Sequence, residues 1–533
     1  MNFSENLSKF KETLINSKKY WLLYLIFIII TSLSVVGSEN FIHPKFELIT
    51  FAFIAILGIL SIVYYFMHDS DKELYKVAFI IILCFGIIFA FILPISEVSD
   101  EGEHFIRSEI TSRGDFFPHW TGDDLGFDRH FNLTEGEIST ESNNKCGFYT
   151  IDSAIFFLKN REVTVFEVDG DTDSINHTKI LTSSAFQQNP FYGYLPQAIG
   201  VLLAKLLDLN LIWMLWLGRI CNLICYAALI SYAIKKTPYL KIPLLAVACI
   251  PLAIYQSASM SIDSLIYGLG ILIVAYFIYF CSKDDKSIQI KEVIIFSALC
   301  LLLGLCKLPY LAFIFLLLFV PNEKFNTTHN PLLLSLLCIG IVSVIGVIYS
   351  HFATDFLLHS WRSQYNLINS TQQIDYLISH PIGIFKFFKL IFGHLLEVIL
   401  GGGFNFFHGN LNNPHYHDTF YLIKYLLMAF LFVVLLMNPN KFKFNLKSKL
   451  GSLLIVLIVY VGTCFVQLLT WSWVGHLDLG VTMRYFIPLF ALIPIIINLN
   501  IKKIDYHKFK DYSIVFIIGF MATLVLTFAI NYY

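Results

Sequence analysis

The feature that most constrains this chain is a series of about thirteen apolar runs, each close to the length of a membrane-spanning helix. A helix needs about 20 mainly apolar residues to cross the hydrocarbon core of a bilayer. The runs cover residues 21–36, 49–67, 77–93, 212–234, 242–256, 264–281, 293–306, 309–320, 331–350, 420–437, 451–470, 485–500 and 512–530. This pattern predicts an all-α polytopic membrane protein with about thirteen transmembrane helices.

The composition agrees with this interpretation. Hydrophobic residues make up 56% of the chain and charged residues only 14%, whereas soluble domains carry roughly 25% charged residues. The formal net charge is -1, so nucleic-acid binding has no electrostatic support. The composition therefore predicts membrane lipid as the surroundings of the protein and no nucleic-acid partner.

Lysine clusters between the runs indicate how the chain is oriented. They lie at residues 9–19, 72–76, 235–241, 283–291, 441–449 and 502–510. Counting crossings places all of them on one face, and short loops rich in Lys and Arg are typically cytoplasmic. The protein is then a multi-pass protein of the cell membrane with a cytoplasmic N-terminus and an external C-terminus. Segments 194–207 and 382–400 would break this order if they crossed the membrane. We therefore expect amphipathic helices on the external surface there, or re-entrant segments.

Three regions follow from this order. Residues 1–76 hold the N-terminal cytoplasmic segment and two transmembrane helices. Residues 77–350 form a core with a long first external loop, 96–193, and residues 351–533 hold a second external loop and the last helices. Within the core, Lys307 and Pro309 separate two short runs, and Pro interrupts a regular helix. We interpret this as a hairpin with Lys307 near the external face. The alternative is one kinked span, which would reverse the downstream loops.

The densest cluster of charge follows the third run. Asp100, Glu101, Glu103, His104 and Arg107 fall within eight positions at the start of the long polar loop. Charged groups close to a bilayer are costly and often mark functional sites. Acidic residues are also favoured in the first turn of a helix. A plain amphipathic helix start is therefore the structural alternative to a reactive site.

Other charged residues are predicted on the same external face: Arg219, Asp263, Lys307 and Arg484. Cationic side chains suit the phosphate of a lipid, and a carboxylate nearby can accept a proton from a hydroxyl. Structural alternatives exist here too. Arg219 can snorkel, Asp263 can cap its helix, and Arg484 can anchor its helix at the interface.

A set of short motifs lies along the chain in a fixed order. It comprises Pro94 with Asp100-Glu101, His104, Arg107 and Gly114, then Tyr194-Leu195-Pro196, Leu217-Gly218-Arg219-Ile220 with Asn222, Pro251 with Gln256-Ser257 to Asp263, Lys307-Leu308-Pro309-Tyr310, and Gly480 with Arg484-Tyr485-Phe486 and Pro488. These motifs resemble those of the bacterial predicted membrane proteins grouped as domain of unknown function 2142. The resemblance covers the chain from about residue 77 onward. Two features depart from it: the two helices that precede it, and Ser99 in place of a Pro before Asp-Glu.

That family is similar in layout to the GT-C glycosyltransferase superfamily. The resemblance implies a GT-C-like fold that transfers a sugar from a polyprenyl-phosphate donor to a glycan acceptor, a cell-wall or surface polysaccharide, on the external face. It implies that Asp100 or Glu101 accepts the proton of the acceptor hydroxyl, with His104 as a third catalytic candidate. A Mg²⁺ or Mn²⁺ ion on Asp100 and Glu101 is compatible with this scheme but is not required.

The same resemblance suggests which residues bind the substrates. Lys307, Arg484 and Arg219 would hold the phosphate of the donor, and Arg107, Asp263 and Tyr194 are further substrate-binding candidates. Two other functions are open from the residues alone. A transporter or flippase for lipid-linked glycans would predict charges deep within helices and internal repeats, of which the sequence shows little. A non-catalytic scaffold of a polysaccharide assembly complex would predict tolerance of single charge changes.

Overall fold

A computed structural model gives the fold of the protein. It describes residues 3–35, 44–117, 147–150, 163–168, 172, 174–175, 179–182, 186, 188–327, 330–358, 368–400, 421–439, 442–478, 480–497, 499 and 504–533. Much of the predicted external loop 96–193 therefore lies outside the described residues, as does part of the loop that follows residue 351.

Helices dominate the described part of the chain. The first ten are α1 Phe3–Asn16, α2 Lys18–Val35, α3 Pro44–Met67, α4 Leu74–Ile92, α5 Glu101–Ser112, α6 Leu195–Leu206, α7 Leu211–Lys236, α8 Lys241–Ala248, α9 Pro251–Ser257 and α10 Asp263–Ser282. The remainder are α11 Ile290–Cys306, α12 Pro331–Leu358, α13 Ser370–Ser379, α14 Pro381–Leu400, α15 Tyr421–Leu436, α16 Leu446–Thr470, α17 Ile487–Phe490, α18 Ile493–Ile496 and α19 Tyr506–Tyr532.

Short 3₁₀ segments and one small sheet complete the described secondary structure. The 3₁₀ segments are Phe191–Tyr194, Leu308–Phe319, Asn322–Lys324 and Met483–Phe486. Strands β1 Gly147–Thr150 and β2 Lys179–Thr182 pair antiparallel. Both strands belong to the polar segment after α5, so the only β-sheet of the described residues lies in that segment.

Eight of the described helices are long and apolar enough to cross a membrane: α2, α3, α4, α7, α10, the 331–353 part of α12, α16 and α19. Two apolar helices, Leu308–Phe319 and Leu422–Leu436, are shorter than the candidate spans. A helical protein with many candidate membrane spans is therefore confirmed, but the predicted count of thirteen spans is not.

Proline explains why three of the predicted runs are not among the eight candidate spans. The run 242–256 divides into α8 and α9, with Pro251 as the first residue of α9. The run 309–320 adopts a 3₁₀ conformation after Pro309. The run 485–500 divides into α17 and α18, each with a proline near its start. Proline lacks a backbone donor and restricts the residue before it, so it starts helices far more readily than it continues them.

The two segments expected on the external surface are helices that fall outside the eight candidate spans. Segment 194–207 corresponds to α6, which has twelve residues, and segment 382–400 corresponds to α14. Helix α6 packs closely against α7 at Gly200. A Cβ atom at this position would lie only 2.2 Å from the carbonyl oxygen of Leu217 in α7, so a larger residue would not fit. The bare glycine backbone thus allows α7 to approach the segment that carries Tyr194.

Helices α10 and α19 form the centre of the bundle. In each of them, 89% of the residues in the most apolar 18-residue stretch are buried. The N-terminal helices α2 and α3 pack against α19. Tyr20 and Tyr65 donate hydrogen bonds of 2.9 and 2.7 Å to the two carboxylate oxygens of Asp511 at the start of α19. Helices α2 and α3 are therefore joined to α19 by buried polar contacts as well as by apolar packing.

Candidate functional site

Asp100 occupies the N-cap position of α5, but its side chain makes no capping hydrogen bond. Its backbone is left-handed, with φ of 65°, a conformation that Asp tolerates better than most residues. The carboxylate is 42% exposed, and its Oδ2 lies 3.1 Å from Nη2 of Arg484. The chain thus turns Asp100 away from its own helix and towards a cation 384 positions further on.

Arg484 lies in the 3₁₀ segment Met483–Phe486, whose backbone is fixed from two sides. Tyr267 donates a 2.8 Å hydrogen bond to the carbonyl oxygen of Arg484, and Tyr310 donates one of 2.7 Å to that of Tyr485. The guanidinium reaches two carboxylates, since its Nε also lies 3.9 Å from Oδ2 of Asp263. Arg484 therefore connects the two acidic residues that sequence analysis placed on one face.

Asp263 follows a non-helical loop that is buried in the bundle. Asn222 donates hydrogen bonds of 2.8 and 3.0 Å to the carbonyl oxygens of Ser259 and Ser261, and Gln197 reaches the same loop. The backbone N–H of Asp263 donates to the hydroxyl of Ser261 at 3.2 Å. Irregular backbone inside a membrane protein requires partners of this kind, and here they fix where Asp263 emerges. Asp263 is the first residue of α10, whose N-cap is the preceding isoleucine.

Lys307 joins the same group through an aromatic ring. Its Nζ lies 3.3 Å from the ring centroid of Tyr485, and the guanidinium carbon of Arg484 lies 5.1 Å from that centroid. Burial lowers the pKa of Lys307 to about 7; Asp263 opposes this shift and Arg484 reinforces it. Among the described residues, Lys307 has no ion pair within 4 Å. Its ammonium is thus a cation held by a π face rather than by a carboxylate.

Sequence reasoning did not assign a role to Tyr485. Its ring contacts both candidate cations, and its hydroxyl accepts a 3.3 Å hydrogen bond from Nη2 of Arg484. The only sequence feature that pointed to a role for Tyr485 was its position directly after Arg484 in the Arg484-Tyr485-Phe486 motif. Because a tyrosine at a membrane interface is common, that signal alone did not distinguish it from an anchor.

Glu101 and Arg219 form a separate, fully buried pair. Nε and Nη2 of Arg219 donate to Oε1 and Oε2 of Glu101 at 2.8 and 2.7 Å. Arg219 also donates to the carbonyl oxygens at the end of α4, those of Ala90, Leu93 and Pro94. A helix leaves its last carbonyls unpaired, so Arg219 caps α4 while binding α5. These contacts favour a structural role for both residues.

The carboxylate of Glu101 is a poor fit to the predicted Mg²⁺ or Mn²⁺ site. Besides Arg219, it accepts hydrogen bonds from the backbone N–H groups of Ser96 and Met260 at 3.1 and 3.2 Å. These bonds occupy the lone pairs that a metal ion would need. The carboxylate of Asp100 pairs with Arg484 instead of lying beside that of Glu101. In the part of the chain that the structure describes, no group of three His, Cys, Asp or Glu residues is arranged to hold a metal.

His104 and Arg107 of α5 form a third group with Tyr194, the last residue of the 3₁₀ segment Phe191–Tyr194. Nδ1 of His104 lies 2.9 Å from the hydroxyl of Tyr194, which accepts a 2.9 Å hydrogen bond from Asn189. His104 stacks on Phe186, and burial lowers its pKa to about 3. His104 is therefore neutral at physiological pH. Arg107 donates to the carbonyl oxygens of residues 115, 116 and 189, so this group ties the ends of the polar segment together.

A cavity of about 510 Å³ opens beside Lys307. Its wall is mostly apolar and comes from the ends of α11, α12 and α16 and from the start of the 3₁₀ segment Leu308–Phe319; it includes Leu308, Phe465 and Val466. Lys307 and Asn189 contribute polar groups to it. Through Asn189, the His104–Tyr194 group contacts the cavity wall. A cation at the side of an apolar cavity suits a ligand with an anionic head and an apolar body.

The structure thus brings Asp100, Asp263, Lys307 and Arg484 together around Tyr485. It keeps Glu101 with Arg219 in a second, buried group and His104 with Tyr194 and Arg107 in a third. Neither the curated proteins nor the solved structures contain a match to this chain. The family of predicted membrane proteins named DUF2142 matches residues 83–493, a segment that holds all nine candidate residues. The chain therefore belongs to the DUF2142 family of predicted membrane proteins.

Proposed function

We propose that this protein is a membrane glycosyltransferase that transfers a sugar from a polyprenyl-phosphate donor to a glycan acceptor. The observation that carries the proposal is the cluster of Asp100, Arg484 and Lys307 around Tyr485, next to an apolar cavity. A lipid phosphate needs cations for its head and an apolar surface for its chain. A hydroxyl acceptor needs a base, and Asp100 is the exposed carboxylate of the cluster.

The reaction uses these groups as follows. The Asp100 carboxylate accepts the proton of the acceptor hydroxyl while the hydroxyl oxygen attacks the anomeric carbon of the donor sugar. The bond from that carbon to the phosphate oxygen breaks, and polyprenyl phosphate leaves with the bonding electron pair. Arg484 and Lys307, on the shared ring of Tyr485, offset the charge that develops on the phosphate.

Five other candidate residues act as positioning residues in this proposal. Glu101 and Arg219 fix the junction of α4 and α5, on which Asp100 depends. His104, Tyr194 and Arg107 connect the first two turns of α5 to Asn189 of the cavity wall. The cluster lies on the external side of the cell membrane, the N-terminus is cytoplasmic, and the C-terminus is external. That orientation rests on the lysine clusters.

Loss of the gene provides the first test. Cells without it should lack one sugar, or one linkage, from a cell-wall or surface polysaccharide, and the wild-type gene should restore it. Sugar and linkage analysis of the purified polysaccharides measures this. Identical composition in both strains would contradict the proposal.

Lys307 gives a prediction about pH. A sugar phosphodiester keeps one negative charge from pH 6 to 9, so a change in its binding reports on the protein. Because the pKa of Lys307 is about 7, the free protein loses this positive charge as pH rises through neutrality. We expect the KM for the donor to rise above pH 7, by roughly tenfold per unit at the steepest, as for loss of one ionised group.

Lys307→Arg is the matched variant, because arginine stays protonated over this range. Its KM for the donor should vary little between pH 6 and 9. Steady-state transfer rates at several donor concentrations give both pH profiles. Parallel profiles for the wild type and the variant would show that Lys307 does not bind the phosphate as a cation.

A further inference from the structure

We infer that the loop between α16 and Arg484, residues 471–478, binds sugar rings of the acceptor glycan. This inference rests on the proposed function, since a glycan acceptor is a substrate of such a transferase. The loop begins directly after Thr470, which lines the cavity, and the chain continues to the guanidinium that contacts Asp100. It therefore joins the cavity wall to the cation of the proposed site.

Two tryptophans of this loop expose much of their surface. Trp471 is 40% exposed and Trp473 is 49% exposed. His476 and Asp478 of the same loop are also exposed. Large aromatic groups are enriched in recognition surfaces, and here they lie among groups that donate and accept hydrogen bonds. The loop thus exposes two flat indole rings together with the polar side chains of His476 and Asp478.

The loop is held in one conformation by a buried amide. Gln373 of α13 is 0% exposed. Its Nε2 donates a 2.8 Å hydrogen bond to the carbonyl oxygen of His476, and its Oε1 accepts one of 2.8 Å from the N–H of Gly475. Gly475 has φ of 84°, which glycine adopts without strain. A surface that is fixed before binding loses little conformational entropy when the ligand arrives.

A pyranose ring matches this surface better than a lipid chain does. Its C–H faces pack on indole rings, and its hydroxyls bond to carboxylate and imidazole groups. An acyl chain would match the tryptophans but would strip water from Asp478 without replacing its hydrogen bonds, which is costly. Tryptophan also anchors proteins at membrane interfaces. That role is the other outcome of the test below.

The test compares Trp473→Leu with Trp473→Phe in the full chain in lipid nanodiscs. The probe is a set of oligosaccharide fragments released from the surface polysaccharide of cells that lack the gene. The leucine variant should raise the KM for these fragments by about tenfold, the usual scale for losing an aromatic contact at the centre of an interface. Phenylalanine keeps a ring and should restore most of the affinity. The KM for the donor should be unchanged in both.

Phe53 of α3 provides a control for general effects on membrane insertion, because it is an aromatic residue of a candidate span and is 54% exposed. Phe53→Leu should leave the KM for the fragments unchanged. Equal KM values for Trp473→Leu, Trp473→Phe and the wild type would overturn the inference and indicate a membrane anchor instead.

A binding measurement separates this inference from the proposed function. Saturation-transfer NMR detects fragment binding without turnover. Fragments should bind to the wild type and to Asp100→Asn but only weakly to Trp473→Leu. If Trp473→Leu bound them normally while Asp100→Asn abolished transfer, the inference alone would fail. If the fragments bound as expected while Asp100→Asn transferred sugar at the normal rate, the proposed chemistry would fail instead.

Discussion

Replacement of Asp100 by asparagine should reduce the rate of sugar transfer by about 10² to 10⁴-fold, the usual contribution of a general base. The amide keeps the size of the carboxylate and can still accept a hydrogen bond from Arg484, but it cannot take up the proton of the acceptor hydroxyl. Asp100 is exposed and makes no capping hydrogen bond, so the variant should fold normally. Transfer rates of the purified variant, with its thermal midpoint beside them, measure both effects.

Glu103→Gln is the matched control for Asp100→Asn. It also replaces one carboxylate by an amide, three positions further along the chain, in the first turn of α5. Transfer by this variant should stay within a few-fold of the wild type. A similar loss in both variants would point to a general effect of charge at the start of α5. Normal transfer by Asp100→Asn would favour a non-catalytic scaffold, for which single charge changes are tolerated.

Replacement of Arg219 by methionine should destabilise the protein by about 3–5 kcal/mol, as expected when one partner of a buried ion pair is lost. Glu101 would be left as a charge with 1% exposure, and the carbonyl oxygens of Ala90, Leu93 and Pro94 would lose the donor they share. The expected result is a much lower thermal midpoint and poor expression. Thermal unfolding followed by size-exclusion chromatography measures it.

The double variant Glu101→Leu with Arg219→Met tests whether the uncompensated charge causes this loss. Removing both charges avoids burying one without a partner, so the double variant should be more stable than Arg219→Met alone. If the single variant were as stable as the wild type, the buried pair would not hold α4 and α5 together. A double variant less stable than the single one would contradict the explanation from charge.

Much of the helical pattern could be predicted from the sequence, because long apolar runs have few alternatives in a membrane. The points at which an apolar run is divided into separate helices were harder to predict. Proline at 251, 309 and 488 lies inside runs that composition alone extends, and the structure starts a new helical segment near each. Hydropathy averages over such local restrictions on the backbone, so it counts more crossings than the described helices provide.

The candidate site was only partly predictable for a different reason. Asp100 and Glu101 are adjacent carboxylates that local sequence cannot distinguish. Their cationic partners lie more than 100 positions away: Arg484 for the first and Arg219 for the second. The grouping of Lys307 with Arg484 likewise depends on the ring of Tyr485. Such assignments require tertiary structure, because the contacts join segments that the sequence keeps far apart.

The most direct test of the central claim follows the donor in a purified reaction. Wild-type protein in nanodiscs is mixed with polyprenyl-phosphate sugars and with oligosaccharide fragments of the polysaccharide from cells that lack the gene, and mass spectrometry counts both products. We expect one polyprenyl phosphate to be released for each sugar added to a fragment, and both products to fall together in Asp100→Asn. Absence of turnover with any polyprenyl-phosphate sugar, or release without transfer to the acceptor, would contradict the assignment of Asp100, Arg484 and Lys307 to glycosyl transfer.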